Sequence, residues 1–161
     1  MADGLRLTEQ ISAFRPCEER DLTHFERFGS SHHVQYCHEQ FTRGPSALVI
    51  LLAVDDRDEP VGKLHLDFEE RADRKEAVLI AAVVRPVLQG RGIGSELMRA
   101  AEDFVCVRGF GAIVLGVEHS NPRARRLYER LGYEPYATDN FRYLGAPDPN
   151  PGVWMRKELE C

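Results

Sequence analysis

A glycine-rich turn is the part of this sequence best suited to chemistry. It reads Gln89-Gly90-Arg91-Gly92-Ile93-Gly94 and stands between an apolar segment and a helical pattern. Successive glycines let a backbone turn tightly and bring its N–H groups close to a ligand. A helix that begins there leaves four N–H groups unpaired, and its dipole favours an anion. The turn therefore predicts a phosphate site made of backbone groups, although an isolated turn of this kind often does no more than start a helix.

The neighbouring residues narrow the kind of phosphate site. The turn lacks the Lys-Ser/Thr ending of a P-loop, and its spacing differs from that of the dinucleotide fingerprint. Val84-Arg85-Pro86, the glycine turn and Leu97 together resemble the first signature of the GNAT superfamily of acyl-CoA-dependent N-acetyltransferases. A second signature follows at the expected distance, in Asn121-Pro122-Arg123-Ala124, Leu127-Tyr128 and Leu131-Gly132-Tyr133. The resemblance is specific from Ala77 to Tyr136 and only topological before that.

The resemblance implies an enzyme that moves an acetyl or other short acyl group from acyl-CoA to an amine. Its implied cofactor site has three parts. Backbone groups of Ala82, Val83 and Val84 bind the pantetheine arm at a bulge that splays their strand from the next. The pyrophosphate lies on Gln89, Gly90, Arg91, Gly92, Ile93, Gly94 and Ser95, and Arg91 is either a phosphate partner or simply solvated. Asn121 contacts the cofactor arm beyond the splay, caps a helix, or does both.

Tyr128 is the candidate general acid and also a cofactor contact. Attack of an amine on a thioester expels a thiolate, which leaves more readily when it is protonated. A tyrosine, whose ordinary pKa is near 10, stays protonated at neutral pH and can supply that proton. Tyr128 also belongs to an apolar helical stripe, so a packing role is the alternative.

At the general base, this sequence departs from a frequent pattern of the superfamily. Many relatives carry a glutamate at positions that correspond here to Val78 and Gly116. Glu118 lies two residues beyond Gly116, points to the same face of its strand, and is the candidate base. His119 points the other way, and Glu76 has the right parity but is expected to lie too far from the thioester. Glu118 as an ordinary strand residue, with no dedicated base, is the alternative.

The spacing of the histidines and cysteines along the chain does not indicate a metal site. The six histidines lack ligand spacing such as H-E-x-x-H, which favours solvated or substrate-lining roles. The variable helical region that often lines the acceptor pocket of this superfamily contains His32, His33 and Tyr36. Four cysteines are far apart, without the spacing of a zinc site or disulfide framework, and Cys106 is expected in the core. Activity is thus expected to survive chelator and reductant.

The composition of the chain limits the classes of partner that we expect it to bind. The chain has 161 residues and a formal net charge of −5, which disfavours nucleic acid and suits a cationic amine. No apolar run is long enough to span a membrane, and the N-terminus lacks a signal-peptide pattern, so we expect a cytoplasmic protein with no membrane partner. We found no linker or repeat and expect a single domain over residues 1–161. Dimers are common in the superfamily, which makes a homodimer an option here.

The hydrophobic pattern predicts the elements that must position these residues. The order is β-α-α-β-β-β-α-β-α-β-β, an α/β fold with a mixed, largely antiparallel sheet of six to seven strands and about four helices. A strand spans Gln10 to Arg15, and helical segments cover Glu18–Phe28 and Ser31–Phe41. The later elements are strands over Ala47–Val54, Val61–Phe68, Glu76–Val84 and Ile113–Val117, helices after Gly92 and Asn121, and two strands around a loop from Gly145 to Gly152.

A non-catalytic module that senses acyl-CoA is the alternative function. Asn121 and Tyr128 favour the enzyme, whereas the missing glutamates at Val78 and Gly116 favour the module. A GTP- or ATP-binding protein does not fit, since no metal-binding Ser or Thr follows the glycine turn.

Overall fold

A computed structural model describes residues 11–142 and 148–161 of the chain. Seven strands and three α-helices occur in these ranges, together with short 3-10 segments at Glu19–Arg27, Ala72–Arg74 and Pro86–Leu88. The strands are β1 (Ala13–Pro16), β2 (Leu48–Val54), β3 (Pro60–Asp67), β4 (Glu76–Val84), β5 (Ala112–Glu118), β6 (Glu134–Phe141) and β7 (Asn150–Glu158). The helices are α1 (Ser31–Thr42), α2 (Ile93–Val107) and α3 (Pro122–Arg130).

One seven-stranded sheet has the order β1-β2-β3-β4-β5-β7-β6. All neighbouring pairs are antiparallel except β4 and β5, which are parallel and joined through α2. The α/β fold class, the largely antiparallel sheet and the element order predicted from the sequence are confirmed. β2 and β3 form a hairpin, and its turn is held by Asp55, whose Oδ1 accepts from the backbone N–H of Arg57 and Glu59.

The two faces of the sheet carry separate cores. One core packs α2 and α3 against β3, β4 and β5, with Leu64, Leu66, Leu97 and Ile113 at its centre. The other packs the Glu19–Arg27 segment and α1 against β2, and Phe25 and Cys37 are fully buried in it. Burial on both faces explains why β2 and β4 are apolar with no alternation.

The polar face of β3 is the main departure from expectation. Lys63, His65 and Asp67 alternate along the strand with Leu64 and Leu66, yet all three are buried on the side of the second core. His65 is fully buried, so its expected role as a solvated or substrate-lining histidine is wrong. Alternation reports which residues share a face, but it does not report whether a helix covers that face.

Some predicted boundaries also need correction. The first strand begins at Ala13 and includes Pro16, while Gln10 lies outside the described residues. The first helical segment is a 3-10 helix whose Asp21 carboxylate turns back to accept from Arg15 and from the backbone N–H of Glu18. Residues 150–152 of the expected terminal loop belong to β7, and residues 143–147 lie outside the described part. Within the described ranges, no helix is both long and apolar enough to cross a membrane.

Cys106 and Cys161 form a disulfide, which overturns the expectation of unpaired cysteines. Cys106 is half-buried in the last turn of α2 and does not belong to the core. The two residues are 55 positions apart, but Leu159 donates its N–H to the carbonyl of Gly111, which brings the end of β7 beside the end of α2. The disulfide therefore depends on the packing of two distant chain segments, which the spacing of cysteines along the sequence does not encode. Cys17 and Cys37 are free thiols.

We expect thiol titration of the unfolded protein to find two reactive thiols before reduction and four after it. Reduction should lower the free energy of unfolding by about 2–4 kcal/mol, the usual range for a loop of this size. Turnover should survive in the folded protein, because Cys106 stands about 20 Å along α2 from the glycine turn.

The Cys17→Ser variant is the matched control, and it should lose the same stability on reduction as the wild type. Four thiols before reduction would contradict the disulfide.

Candidate active site

The backbone pairing between β4 and β5 stops halfway along both strands. Their ladder joins Glu76–Leu79 to Ala112–Leu115, and among the described residues no pair continues it. Beyond that point β4 stays paired with β3, and β5 stays paired with β7. The two central strands therefore splay apart, as the sequence predicted, and each presents an unpaired edge.

A bulge in β4 marks the start of the splay. The β3–β4 register shifts between Lys63 and His65, and Ala81 adopts a φ of 53°. This left-handed conformation is uncommon for a residue with a side chain and indicates a bulge held by its surroundings. Ala82, Val83 and Val84 follow it and form one wall of the opening.

Two cavities meet at the splay. The larger, of about 720 Å³, runs from the splay to the glycine turn, and the smaller, of about 270 Å³, lies at the end of β5. Ala82, Asn121, Ala124 and Tyr128 line both cavities. A molecule in the larger cavity can therefore reach a molecule in the smaller one at these four residues.

The glycine turn forms the far end of the larger cavity. Gly90 and Gly92 have φ values of 78° and 81°, and Gly92 is the N-cap of α2. Ile93 is buried against Gly62 of β3, where an added Cβ would lie 3.4 Å from it, and this contact fixes the start of the helix. Of the predicted phosphate residues, Gln89, Gly90, Gly92, Ile93, Gly94 and Ser95 line the cavity, whereas the exposed Arg91 does not.

Three arginines of α3 were missed by sequence reasoning. Arg123, Arg126 and Arg130 line the larger cavity, and a Cβ on Gly90 would lie 3.5 Å from Nη2 of Arg123. Their guanidinium groups place positive charge along this cavity, and guanidinium groups are well suited to bind phosphate. The signal was in the sequence, because positions 123, 126 and 130 share one face of a helix that begins at the second signature.

Tyr128 lies at the junction of the cavities with only 9% of its surface exposed. Its ring contacts Tyr133 edge to face, with centroids 6.0 Å apart. Tyr133 donates its hydroxyl to Glu102 of α2 at 3.2 Å, and Lys157 of β7 also donates to that carboxylate. Burial, with Glu102 alongside, raises the pKa of Tyr133, so it remains a protonated donor. This chain of contacts fixes the tyrosine pair between α2, α3 and β7.

Asn121 and Glu118 stand on the connection from β5 to α3. Asn121 Oδ1 accepts from the N–H of Ala124 at 3.2 Å, so it is the helix cap, and it also lines both cavities. Glu118 lines the smaller cavity together with Tyr128. Its carboxylate accepts from Ser120 Oγ at 2.7 Å and from Asn150 Nδ2 at 3.4 Å. Glu118 is thus oriented into the site by its neighbours.

The two positions that carry glutamate in many relatives are occupied differently here. Gly116 is covered by Phe141, because an added Cβ would lie only 2.3 Å from that ring. Val78 is buried on the same face of the sheet as Gly116. Glu76, two residues before it, accepts from Arg71 at 2.7 Å and from Arg156 at 2.9 Å. Burial opposes ionisation of Glu76, but these two arginines outweigh it and lower its pKa, so Glu76 is a structural anion.

The proposed acceptor residues of α1 lie apart from both cavities. His32 is exposed, whereas His33 and Tyr36 are half-buried, and Tyr36 stacks on His65 with centroids 5.5 Å apart. None of the three lines either cavity. In the part of the chain that the structure covers, no group of three His, Cys, Asp or Glu side chains is arranged to hold a metal ion.

Comparison with known proteins finds acetyltransferases both among relatives in sequence and among solved structures of similar fold. Mycothiol acetyltransferase of Rhodococcus jostii (strain RHA1) is 34% identical over 99 residues, which are 59% of this chain and 32% of that protein. The chain thus spans about a third of the length of this curated relative. Two solved structures share the fold at under 20% identity. Spermidine/spermine N-acetyltransferase SpeG from Vibrio cholerae has a TM-score of 0.75 at 18% identity, covering 94% of both chains. The ribosomal-protein-S18-alanine N-acetyltransferase from Escherichia coli has a TM-score of 0.73 at 19% identity, covering 92% of this chain and 94% of that one.

The family comparison extends beyond the two signatures. The model of the acetyltransferase (GNAT) family matches residues 12–133, from the first strand to the tyrosine that closes the second signature. This range includes the splay, the glycine turn, Glu118 and Tyr128. The chain belongs to the acetyltransferase (GNAT) family.

Proposed function

We propose that this protein transfers an acetyl or other short acyl group from acyl-CoA to an amine by direct attack on the thioester. The observation that carries the proposal is the meeting of two cavities at the splay, with Tyr128 and Asn121 lining both. Acetyl-CoA is the co-substrate of the GNAT family. One cavity would hold this donor, and the other would admit the acceptor from the end of β5.

The residues of the larger cavity fit a CoA molecule. The free edge of Ala82–Val84 offers backbone groups to the amides of a pantetheine arm, as an added strand would. The glycine turn at the start of α2 offers N–H groups to a pyrophosphate. Arg123, Arg126 and Arg130 offer charge to the remaining phosphate.

Two side chains would handle the protons. Acetyl-CoA supplies a thioester carbonyl that an amine can attack once the two are held together. Glu118, directly or through water, would take the proton that the amine loses. Tyr128 would give a proton to the departing thiolate, and the backbone at the β4 bulge would stabilise negative charge that develops on the carbonyl oxygen. The exchange is balanced, since one proton leaves the amine and one reaches the thiol.

The acceptor is a small-molecule or peptide amine in this proposal. A carboxylate in the smaller cavity and a net charge of −5 favour a cationic amine. His32, His33 and Tyr36 of α1 remain proposed acceptor contacts, although they line neither cavity. A single domain, a cytoplasmic location, no nucleic-acid or membrane partner and an optional homodimer complete the proposal.

The first test is binding and turnover with a panel of amines that includes polyamines, aminoglycosides and peptide N-termini. CoA and acetyl-CoA should raise the melting temperature, because they bind the folded state. Free thiol from CoA should appear only when a suitable amine is present. A rise in melting temperature without turnover would instead support the acyl-CoA-sensing module, and no rise at millimolar CoA would overturn both.

We expect Gly92→Val to weaken CoA binding roughly tenfold or more, since a side chain would block phosphate from the backbone N–H groups. The matched control is Gly109→Val. Gly109 has nearly the same φ, 80°, but open space around it at the other end of α2. Calorimetry should find both variants less stable and only Gly92→Val impaired in binding. Equal affinity in the two variants would contradict the phosphate site.

We expect Tyr128→Phe to lower kcat roughly 100-fold, the low end for loss of a general acid. The ring is kept, so its contact with Tyr133, the fold and the affinity for CoA should change little. Stopped-flow measurement of the acyl-transfer step separates this effect from slow product release. Wild-type kcat in a variant whose chemistry limits the rate would reject the acid role.

Glu118→Gln is the companion variant for the base. It keeps the shape of the side chain and one acceptor oxygen but cannot take a proton. If Glu118 is the base, the acidic limb of the pH–rate profile should change. An unaltered profile would make Glu118 a strand residue only.

A further inference from the structure

A polar cluster is buried between β3 and α1, on the side of the sheet away from α2. Its members are Lys63 and His65 of β3 and His33 and Cys37 of α1. Lys63, His65 and Cys37 have no exposed surface, and none of the four lines either cavity. The proton transfers described above involve none of the four, and Lys63, His65 and Cys37 have no proposed role so far. A buried lysine is costly unless its charge is satisfied, so its partners indicate its role.

Lys63 is bonded to the β4 bulge. Its Nζ donates to the carbonyl oxygen of Ala81 at 3.3 Å and lies 3.1 Å from Nε2 of His65. Sγ of Cys37 lies 3.8 Å from the same nitrogen of His65 and 3.6 Å from Nε2 of His33, and the ring of Phe25 lies 5.8 Å from Nζ of Lys63. When His65 Nε2 accepts from Lys63, its Nδ1 carries the proton, and this Nδ1 is buried with no partner among the described residues. In this arrangement the Nδ1–H of His65 is an unsatisfied donor, while Nε2 of the same ring accepts from the Lys63 ammonium.

The peptide unit that Lys63 contacts is the one that opens the splay. Ala81 has the left-handed φ of the bulge, and its carbonyl shares a planar unit with the N–H of Ala82. No described peptide bond is cis, so this N–H points opposite to the carbonyl, away from Lys63 and β3. Ala82 lines both cavities. A charge on the carbonyl side polarises the N–H on the other side.

We propose that Lys63 is a positioning residue for acyl transfer, which holds the Ala81 bulge and polarises the Ala81–Ala82 peptide so that the Ala82 N–H stabilises negative charge at the splay. The proposal rests on the acyltransferase function above. Lys63 acts through the peptide and does not touch the substrates.

The charge state of Lys63 gives the proposal a pH signature. Burial lowers the pKa of Lys63 to about 8, against opposing effects of Cys37 and Cys17. Burial and the charge of Lys63 also lower the pKa of His65, and they lower that of His33 to about 4, so both imidazoles are neutral near pH 7. Burial raises the pKa of Cys37, and that of Cys17 to about 12, so both thiols stay protonated. Lys63 is therefore the group of this cluster that titrates between pH 7 and 9.

The direct test is NMR of the peptide itself. The sequence has two Ala–Ala units, Ala81–Ala82 and Ala100–Ala101, so alanine labelled with ¹³C at the carbonyl and with ¹⁵N at the amide gives two correlated signals. The Ala81 carbonyl shift should titrate with a midpoint near pH 8 in the wild type. The signal of Ala100, inside α2, is the internal control and should not move. An Ala81 shift that stays constant from pH 6 to 10 would overturn the proposal.

The kinetic test compares Lys63→Met with the wild type. Methionine keeps the length and apolar stem but cannot donate, so kcat should fall about tenfold at pH 7 while KM for acetyl-CoA stays within about twofold. The ratio of wild-type to variant kcat should shrink towards one above pH 9, where Lys63 is neutral. Titration of the acceptor amine cancels in this ratio. A purely structural role predicts a ratio that does not change with pH.

Lys75→Met is the control, since the chain has three lysines and Lys75 is exposed. It should leave kcat and its pH dependence unchanged. If Lys63→Met fails to fold, the wild-type carbonyl titration still decides. If no amine supports turnover in the wild type, the proposed function fails, whereas the carbonyl titration decides separately whether Lys63 polarises the bulge peptide.

Discussion

The end of the β4–β5 ladder at Leu79 and Leu115 is the constraint on which the rest of this structure depends. A sheet normally satisfies both edges of a central strand, because unpaired backbone groups are costly when they are buried. Beyond that point β4 stays paired with β3 and β5 stays paired with β7, but, among the described residues, β4 and β5 are no longer paired with each other. The resulting edges open onto cavities, and this is how a continuous sheet comes to hold a cleft at its centre. Both cavities lie along that break, together with Tyr128 and Glu118, the residues proposed for catalysis.

Polar groups contact the break from one side of the sheet. Ala81 has a left-handed φ where β4 leaves β5, and its carbonyl accepts a hydrogen bond from Lys63 of β3. Burying the lysine has a cost in free energy that an apolar residue would not have. The fold buries it together with His65 and Cys37 between β3 and α1. Stability and site geometry are therefore linked through one short row of contacts.

The α3 helix connects the two ends of the site. In nine residues it places Tyr128 at the splay and Arg123, Arg126 and Arg130 along the larger cavity. Asn121 caps it and faces the same opening. The helix is in turn fixed by contacts between Tyr128 and Tyr133 and between Tyr133 and Glu102. The residues proposed as the acid, the cofactor-arm contact and the phosphate contacts thus all belong to α3 or its cap, and the position of this helix depends on α2.

The sequence by itself determined the element order, the glycine turn and the second signature, because these depend on local periodicity, caps and left-handed glycines. Val84, Gly92, Asn121 and Tyr128 could all be placed on their elements in this way. Only the tertiary structure decided which polar residues are buried, as for Lys63 and His65, since alternation does not show what covers a face. It also decided the bond between Cys106 and Cys161 and the covering of Gly116 by Phe141. Each of these joins residues that are distant along the chain, and their meeting depends on how the strands are ordered in the sheet.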